Sequence, residues 1–285
     1  MIISRITGGL GNQLFQYAAG FSLAKRKQVE YKLHFSLDQR DTHREAEISH
    51  LLPEVNWCTN DEAAQFIPGS LVKRMILRFT PTQQKRFIKE RHFHFDNQVQ
   101  HAGSSVYIKG YWQSEYYFSD ACNEIRAVLL KGLSRFPLSE SLMFALKGES
   151  TVSLHVRKGD YLKPPYSTFY AQLNNDYYTS ALKKLEQHIT PSRICVFTDD
   201  IQWVKQHLDL GRPFELISGN ENQTALQDFH AMTLCSHHII ANSSFSWWSA
   251  WLSSNPNKIV IAPEKWFNEG PTDTQDLLPK GWITA

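Results

Sequence analysis

The sequence predicts an α/β fold with parallel sheets, and two patterns in the chain carry this prediction. In the carboxyl-terminal half, five short β-rich segments are separated by helical patterns, which is typical of a doubly wound parallel sheet. At the amino terminus, a strand, a glycine turn, a helix and a second strand follow one another, which is the order of a βαβ unit. Between about 131 and 150 the pattern loosens, so we predict two domains, 1–140 and 141–285.

The amino-terminal domain begins with the predicted βαβ unit. Its strands are Ile2 to Thr7 and Tyr31 to Phe35, and the helical pattern between them runs from Asn12 to about Lys27. Apolar residues along one face of this pattern and basic residues at its end both favour a helix. The other predicted elements of this domain are helical pieces at Thr59 to Phe66 and Ser70 to Arg78, a strand at Val106 to Lys109, and a helical pattern from about Ser114 to Leu130.

The carboxyl-terminal domain has the clearer alternation of strands and helices. Its predicted strands are Thr151 to Val156, Arg193 to Thr198, Phe214 to Ile217, His238 to Ala241 and Lys258 to Ala262. The helical patterns between them are Asp176 to His188, Asp200 to His207, Ala225 to Ser236 and Phe245 to Ser253. Two α/β domains on one chain predict a cleft between them, which is a usual location for a ligand.

The composition argues against several classes of protein. With 285 residues and 42% hydrophobic content, the chain can bury one large core or two moderate ones. The formal net charge is +2 and the Lys and Arg residues are scattered, so no nucleic-acid partner is predicted. No stretch approaches the roughly 18 consecutive apolar residues that span a bilayer.

The cysteines and the amino terminus indicate a cytoplasmic protein. Cys58, Cys122, Cys195 and Cys235 are far apart and form no CxxC pair, so neither a disulfide framework nor a zinc site is predicted. The first residues, from Met1 onward, have the pattern of a strand and are followed by no long apolar segment, which argues against a signal peptide.

The segment from Thr151 to Asp160 is the most informative in the chain. It is an alternating, β-rich strand that ends in a cationic turn closed by a carboxylate. Because ligands of open α/β sheets bind at the carboxyl ends of the strands, His155, Arg157 and Asp160 would reach a ligand together. Arg is suited to bidentate recognition of phosphate, so a phosphorylated ligand is predicted. A charged surface turn after a strand is the alternative interpretation.

A second polar strand end follows the predicted strand from His238 to Ala241. Asn242, Ser243 and Ser244 stand where a helix begins directly after a buried strand. The hydroxyl groups of Ser243 and Ser244 and the first N–H groups of the helix would therefore point to the ligand edge of the sheet and bind an anion. Together with Arg157 they would hold a diphosphate. An ordinary serine N-cap is the alternative.

Two further carboxylate positions are candidates for binding. Asp228 lies among apolar residues of a helical pattern, where it would accept N–H groups from guanine, and a solvated helix face is the alternative. Asp199 and Asp200 resemble the Asp-x-Asp pairs that hold a divalent metal on a sugar-nucleotide diphosphate. The spacer residue is missing and Asp200 would equally cap a helix, so no metal site is predicted.

The amino-terminal glycine loop superficially resembles a dinucleotide fingerprint. Gly8 to Gly11 lacks the GxGxxG spacing and no acidic residue ends the second strand, so no nicotinamide cofactor is predicted. The glycines would instead allow another segment or a ligand to approach closely. The amides of Asn12 and Gln13 would then be available at the start of the helix.

Four segments of the chain form a set that is more specific than any one of them. They are Gly8-Gly-Leu-Gly-Asn-Gln-Leu-Phe-Gln-Tyr17, His155-Val-Arg-Lys-Gly-Asp-Tyr161, Phe197-Thr-Asp-Asp200 and Ala241-Asn-Ser-Ser-Phe-Ser-Trp-Trp248. In this order the set resembles the family 11 glycosyltransferases, the α-1,2-fucosyltransferases, and bacterial members in particular. The resemblance implies a GT-B-like fold of two facing Rossmann-like domains, with the acceptor on the amino-terminal side of the cleft and the nucleotide-sugar donor on the carboxyl-terminal side.

The resemblance also implies a role for each candidate residue. Arg157 would contact the β-phosphate and stabilise the departing GDP, His155 would lie against the nucleotide, and Asp228 would read guanine. Asn12 would face the reaction centre from the other domain. Lys158 stands where the family usually has a second Arg, so the charge is kept and the planar fork is lost. The remaining predicted donor-site residues are Asp199, Asn242, Ser243, Ser244 and Phe245.

The implied activity is inverting transfer of L-fucose from GDP-β-L-fucose to the 2-hydroxyl of a terminal galactoside, in an O-antigen or another oligosaccharide, without a metal or other cofactor. The charge that develops on the diphosphate would be neutralised by Arg157, Lys158 and helix-end N–H groups. Asp160 is the predicted general base, and orientation of Arg157 is its alternative role. A lipid-linked acceptor would bring the protein to the inner face of the membrane as a peripheral protein.

Two other functions compete with this interpretation. One is transfer from a different nucleotide sugar, with a metal at Asp199 and Asp200. The other is a sugar-binding module that uses the aromatic rings of Trp247, Trp248 and Trp251 without catalysis. A module of that kind has little use for an Arg and two Ser residues that converge on an anion site.

Overall fold

The chain divides into two compact units in the computed structural model, which describes residues 1–36, 45–219 and 223–285. Unit 1 comprises Met1–Gly132 and Asp273–Pro279, and unit 2 comprises Leu133–Thr272 and Lys280–Ala285. The division after Gly132 lies within the segment where the sequence pattern loosens, ahead of the predicted boundary at 140.

Residues 273–279 belong to unit 1, whereas the sequence-based division places them in the second domain. Two carboxylates fix this segment to unit 1. The carboxylate of Asp273 lies 2.6 Å from Nδ1 of His94, and that of Asp276 accepts the backbone N–H of Phe95 at 3.0 Å. Contacts between segments so distant in the chain leave no local pattern in the sequence.

Unit 1 contains a four-stranded parallel sheet in the order β2-β1-β4-β3. The strands are β1 (Ile2–Ile6), β2 (Tyr31–Phe35), β3 (Phe87–Lys89) and β4 (Val106–Lys109). Ile2 pairs with Tyr31 on one side and with Val106 on the other, so β1 lies at the centre. Its residues are buried, because helices and loops cover both faces of a parallel sheet.

The helices of unit 1 are α1 (Leu10–Lys27), α2 (Ile48–Leu51), α3 (Asn60–Ala64), α4 (Leu71–Phe79) and α5 (Cys122–Leu133). Helix α1 ends at Gln28, which adopts the left-handed conformation with φ of 54°. A Cβ atom at Gly20 would lie 1.9 Å from the hydroxyl of Ser4, so only glycine allows α1 to pack this closely on β1. Helix α5 follows two short 3-10 turns, where the sequence predicted one continuous helix from Ser114.

Unit 2 contains a six-stranded parallel sheet in the order β10-β9-β8-β5-β6-β7. The strands are β5 (Thr151–Val156), β6 (Arg193–Thr198), β7 (Glu215–Leu216), β8 (His237–Ile239), β9 (Val260–Ala262) and β10 (Ile283–Thr284). Strand β5 lies between β6 and β8, so the carboxyl ends of these three strands meet at one edge of the sheet.

The helices of unit 2 are α6 (Glu140–Leu146), α7 (Tyr166–Phe169), α8 (Asn175–Glu186), α9 (Ile201–His207), α10 (Ala225–Leu234) and α11 (Ser244–Leu252). Trp247, Trp248 and Trp251 on α11 are buried and contact one another. These rings are therefore part of the core and cannot stack on a sugar from solvent. Among the described residues, no helix is long and apolar enough to cross a membrane.

Candidate active site

His155 lies at the end of β5 and is almost fully buried. Its ring is 4% exposed and lies 5.8 Å from the ring of Phe245 at the start of α11. Within the described parts of the chain, the buried Nδ1 of His155 has no hydrogen-bond partner. Burial, and then the charge of Arg157, lowers the pKa of His155 to about 3. The imidazole is therefore neutral at physiological pH.

Arg157 follows β5 on the same face as His155 and is held by two carboxylates. Its Nη2 lies 2.7 Å from Asp160 Oδ1, and its Nη1 lies 3.1 Å from Asp199 Oδ2. Burial disfavours the charged guanidinium, but Asp199 and Asp160 outweigh burial and raise the pKa of Arg157. The buried Nε has no hydrogen-bond partner among the described residues.

Asp199 fixes the turn that carries Arg157. While one carboxylate oxygen pairs with Arg157, the other accepts the backbone N–H of Lys158 at 2.8 Å. A Cβ atom at Gly159 would lie 2.4 Å from Asp199 Oδ2, so the turn requires glycine at this position. Asp200 accepts the N–H of Trp203 at 2.9 Å and is the N-cap of α9, which is the alternative role predicted for it.

The side chain of Lys158 lies apart from that of Arg157, and its contact with a ligand remains a prediction. Its side chain is 4% exposed, its ammonium donates to the carbonyl oxygen of Leu173, and its Nζ lies 4.3 Å from the centre of the Trp203 ring. Side chains alternate between the two faces of a strand, so residues 155 and 157 share one face and residue 158 points to the other. The ammonium therefore lies between the carbonyl oxygen of Leu173 and the Trp203 ring of α9, on the face away from His155.

The start of α11 forms the third part of the site. Ser243 is the N-cap of α11, but its hydroxyl makes no capping bond. The first N–H groups of a helix have no partner within the helix, and together they favour an anion. Asn242 is buried, and its amide donates to the carbonyl oxygens of Ala171 and Trp266 at 2.8 and 2.9 Å. A ligand contact of Asn242 remains a prediction, since these two bonds occupy its amide donors.

Tyr161 and Phe245 connect the end of β5 to the start of α11. The guanidinium of Arg157 lies 5.3 Å from the centre of the Tyr161 ring, whose hydroxyl donates to the carbonyl oxygen of Asn242 at 3.2 Å. The ring of Phe245 lies between those of His155 and Phe229, at 5.8 and 4.9 Å. His155, Arg157 and the helix start are therefore neighbours in one region of unit 2.

Asp228 lies in the first turn of α10, half-buried, and its carboxylate is already oriented by side chains. Ser218 donates to one oxygen at 2.5 Å and Gln223 donates to the other. Burial raises the pKa of Asp228, while these two donors act against that rise. Ser218 also accepts the N–H of Thr198 at the end of β6. Ser218 could not be identified from the sequence, because the contacts of this residue join three separate segments.

Asn12 lies in unit 1, in the first turn of α1. Its Oδ1 accepts a hydrogen bond from Gln113 Nε2 at 2.6 Å. The loop before Gln113 contains Trp112 in a left-handed conformation with φ of 58°. The carboxylate of Glu90 accepts the backbone N–H groups of Tyr111 and Trp112 in this loop, at 2.7 and 2.9 Å. Glu90 therefore positions the loop that carries the partner of Asn12. Glu90 contacts residues that lie 21 and 22 positions further along the chain, so no local pattern in the sequence indicates its role.

Gln13 has a structural role in the same turn of unit 1. Its amide donates to the carbonyl oxygens of Gly8 and Glu45, and its oxygen accepts the N–H of Ile48. In the segments that the structure describes, no group of three or more His, Cys, Asp or Glu side chains is arranged to hold a metal ion.

Comparisons with known proteins identify the family of the chain. Residues 1–285 match the family described as Glycosyl transferase family 11. The chain is 31% identical to the O-antigen biosynthesis glycosyltransferase WbnK of Escherichia coli, over 98% of this chain and 99% of WbnK. It is 29% identical to an alpha-1,2-colitosyltransferase of Escherichia coli, over 99% and 98% of the two chains.

The fold is that of GT-B-type fucosyltransferases. The structure of Arabidopsis thaliana FUT1 in complex with GDP matches with a TM-score of 0.51 at 12% identity, over 98% of this chain and 75% of FUT1. The NodZ alpha-1,6-fucosyltransferase crystallised with GDP matches with a TM-score of 0.50 at 16% identity, over 91% and 94%. From the match over its full length, the chain belongs to glycosyltransferase family 11.

Proposed function

We propose that this glycosyltransferase moves L-fucose from GDP-β-L-fucose to the 2-hydroxyl of a terminal galactoside, with inversion at the anomeric carbon. The observation that carries the proposal is the pair of buried nitrogens, His155 Nδ1 and Arg157 Nε, which lack partners among the described residues. Buried polar atoms are normally hydrogen-bonded, so two such atoms on one face of β5 indicate a polar ligand. The diphosphate of a nucleotide sugar supplies the acceptor oxygens that both nitrogens need.

The charge balance of the site defines what Arg157 does in this reaction. Arg157 with Asp160 and Asp199 has a net charge of minus one, from one guanidinium and two carboxylates. Attraction by net charge is therefore weak, and Arg157 acts mainly as an oriented donor. Neutral donors at the start of α11 would then share the charge that develops on the leaving GDP.

His155 would contact the same ligand as a neutral donor, through the tautomer that carries hydrogen on Nδ1. Its pKa, lowered to about 3, means that it carries no charge at neutral pH and takes no proton from the acceptor hydroxyl. The pairing of Asp160 Oδ1 with Arg157 supports an orienting role for this carboxylate, and we assign it that role in place of the general base.

Asp228 completes the donor site in this proposal by reading the guanine base. A carboxylate that is held by two side-chain donors presents its remaining lone pairs in fixed directions. The N1–H and the exocyclic amine of guanine form the matching pair of donors. Uridine and adenine nucleotides offer no such pair, so the site would select GDP sugars.

Incubation of the purified protein with GDP-fucose and a panel of β-galactosides tests this proposal. We expect transfer to the galactose 2-hydroxyl, identified by linkage analysis, with α configuration of the product. Transfer to another hydroxyl, or a preference for UDP sugars, would contradict it. Loss of activity with EDTA would favour the metal-dependent alternative at Asp199 and Asp200.

GDP-colitose is the second candidate donor, because one of the full-length relatives is a colitosyltransferase. Colitose is fucose without the 3-hydroxyl. A site that hydrogen-bonds this hydroxyl rejects the analogue that lacks it by as much as about 10⁴-fold, whereas an apolar pocket discriminates only weakly. Competition between the two donors in one reaction therefore distinguishes the functions by the ratio of products.

The Arg157→Ala substitution tests the donor site itself. We expect kcat to fall about 100-fold or more, as for loss of one oxyanion donor. Arg157→Lys keeps the charge but removes the fork and Nε, so it should recover little of the activity. Arg193→Ala is the matched control, because Arg193 pairs with the exposed Glu215 at the other end of the sheet. Turnover near that of the unaltered protein in Arg157→Ala would reject the assignment.

A further inference from the structure

Helix α4 exposes an apolar face to solvent. Five large side chains of this nine-residue helix are between 59% and 86% exposed, and none of its residues is buried. They are Leu71, Val72, Met75, Ile76 and Phe79. In a projection down the helix axis, with about 100° between successive residues, these five side chains lie within an arc of about 140°. They therefore form a single continuous stripe. A stripe of this size on the surface marks an interaction site.

The opposite face of α4 attaches the helix to unit 1. Leu77 is half-buried, and on the same projection it lies opposite the centre of the apolar stripe. Ser70 caps the helix by accepting the N–H of Lys73 at 3.3 Å, and the Thr80 hydroxyl donates to the Ile76 carbonyl at 2.9 Å. The helix is therefore capped at both ends, and its apolar side is turned outward.

Basic side chains flank the apolar stripe. Arg74 and Arg78 lie on one side of the stripe and Lys73 on the other, and the helix contains no Asp or Glu. Cations beside an apolar stripe are the arrangement of helices that lie in the surface of a membrane, where the apolar residues enter the acyl region and the cations stay among the headgroups.

A basic cavity continues this surface. Arg74 and Arg78 line a cavity of about 720 Å³ together with other cationic side chains, among them Lys85, Lys89 and Arg91. The acidic residue that also lines it, Glu90, uses both carboxylate oxygens to accept backbone N–H groups. The cavity therefore favours anions, and phosphate groups are the anions at a membrane surface.

We propose that α4 docks this glycosyltransferase on an anionic phospholipid membrane, with the apolar stripe inserted and the flanking cations and the basic cavity on headgroup phosphates. Charge selects this occupant over a second copy of the chain. Two copies joined through α4 would bring Lys73, Arg74 and Arg78 of each copy against the same residues of the other. The proposal goes beyond the transfer reaction and stands on residues of unit 1 alone.

Flotation of the full-length protein with vesicles tests the proposal. We expect binding to vesicles of mixed phosphatidylcholine and phosphatidylglycerol, little binding to phosphatidylcholine alone, and release by high salt. Each cation near an anionic surface contributes about fivefold in partitioning, so Lys73→Gln with Arg74→Gln and Arg78→Gln should reduce binding on the order of 100-fold.

The apolar contribution is tested separately by Met75→Ser combined with Ile76→Ser. This variant should lose vesicle binding and keep its turnover on a water-soluble galactoside, because both side chains are exposed and lie outside the candidate active site. Phe144→Ser is the matched control, since Phe144 is an exposed apolar side chain in unit 2. Circular dichroism verifies that each variant is folded.

Three results would overturn the proposal. The first is that the unaltered protein floats with anionic vesicles no better than with neutral ones, and the second is that Met75→Ser with Ile76→Ser floats as well as the unaltered protein. The third is a dimer in sedimentation velocity that the same double substitution dissociates, which would identify a second copy as the occupant. None of these results depends on which sugar the enzyme transfers, so failure here leaves the proposed reaction untouched.

Discussion

Arg157 and Asp199 meet across two neighbouring strands, directly after the last paired residues of each. Val156 of β5 pairs with Thr198 of β6, and the next residue of each strand forms the ion pair at 3.1 Å. The same carboxylate accepts the N–H of Lys158, so one side chain fixes both the guanidinium and the backbone of the turn. The cationic end of β5 is thus positioned by β6.

The Asp199→Ala substitution should destabilise unit 2. It leaves the N–H of Lys158 without its acceptor, which costs about 1–3 kcal/mol for a buried donor. Asp199→Asn retains an acceptor oxygen and should cost less. Urea denaturation measures both free energies of unfolding. Glu215→Ala, which removes an exposed ion pair with Arg193, is the control and should change stability by about 0.5 kcal/mol at most. An equal effect of Asp199→Ala and Glu215→Ala would argue against the bridging role.

Asp160→Asn separates the two roles of this residue. Asn keeps an oxygen at the position of Oδ1 that accepts a hydrogen bond from Arg157. It also removes one of the two negative charges that would repel a diphosphate. We therefore expect kcat within about tenfold of the unaltered enzyme and tighter binding of GDP. Loss of a general base would instead lower kcat by about 10²–10⁴-fold and leave the GDP affinity unchanged. Turnover kinetics with calorimetric titration of GDP distinguishes these results.

Asp228→Asn should remove the preference for guanine. GDP and IDP differ only in the exocyclic amine, and a hydrogen bond to a charged acceptor contributes about 1.5–3 kcal/mol. The unaltered protein should bind GDP more tightly than IDP by about this amount, and the variant should bind both alike. Calorimetry with the two nucleotides provides the measurement. Asp209→Asn, at an exposed carboxylate that accepts the N–H of Gly211, serves as the control. Equal affinities for GDP and IDP in the unaltered protein would contradict the assignment.

Strands rich in β-branched, aromatic and aliphatic residues could be predicted from the sequence, and two of the short strands could not. The bounds of β2, β4, β5 and β6 agree with the prediction, because such residues make up most of each strand. Strands β3 and β10 have three and two residues and were missed. Their formation depends on pairing with β4 and β9, which local sequence does not encode.

The site could be predicted where its residues are neighbours along the chain. Asp160 beside Arg157 follows from a spacing of three residues, and the N-cap role of Asp200 follows from its place before a helix. The position of the Lys158 side chain also follows from the sequence, because the alternation of β5 separates it from His155. Ser218 and Glu90 act through contacts between distant segments, so no spacing rule identifies them.

His155 should make the protein less stable in mild acid. Its folded pKa of about 3 lies below the ordinary value of 6.5, so the unfolded state binds a proton that the native state does not. Its contribution to stability is therefore present above pH 6.5 and is lost as the pH falls toward 3. The free energy of unfolding should fall by as much as about 1.4 kcal/mol per pH unit for this residue. Urea titrations across this range should give a shallower dependence for His155→Gln, and an unchanged dependence would contradict the burial argument.

Glu90 should have the opposite effect on stability. Burial raises its pKa from 4.5 to about 7, while the N–H groups of Tyr111 and Trp112 act against this rise. Between pH 4.5 and about pH 7 the native state holds a proton that the unfolded state has released, so the contribution of Glu90 is full below pH 4.5 and is lost as the pH rises to about 7. Thermal unfolding measured from pH 4.5 to about pH 7 should show a steeper decline with pH for the unaltered protein than for Glu90→Gln, and the two proteins should behave alike above this range.

The loop contact of Glu90 gives this prediction a second measurement. Glu90 holds the segment before Gln113, which donates to Asn12, so ionisation should loosen the loop in alkaline solution. Hydrogen exchange at Tyr111 and Trp112 should therefore become faster above pH 7, after correction for the intrinsic rate. The exposed Glu54 provides the matched control, and Glu54→Gln should leave both measurements unchanged. If Glu90→Gln and Glu54→Gln behave alike, the carboxylate of Glu90 does not control the loop that positions the partner of Asn12.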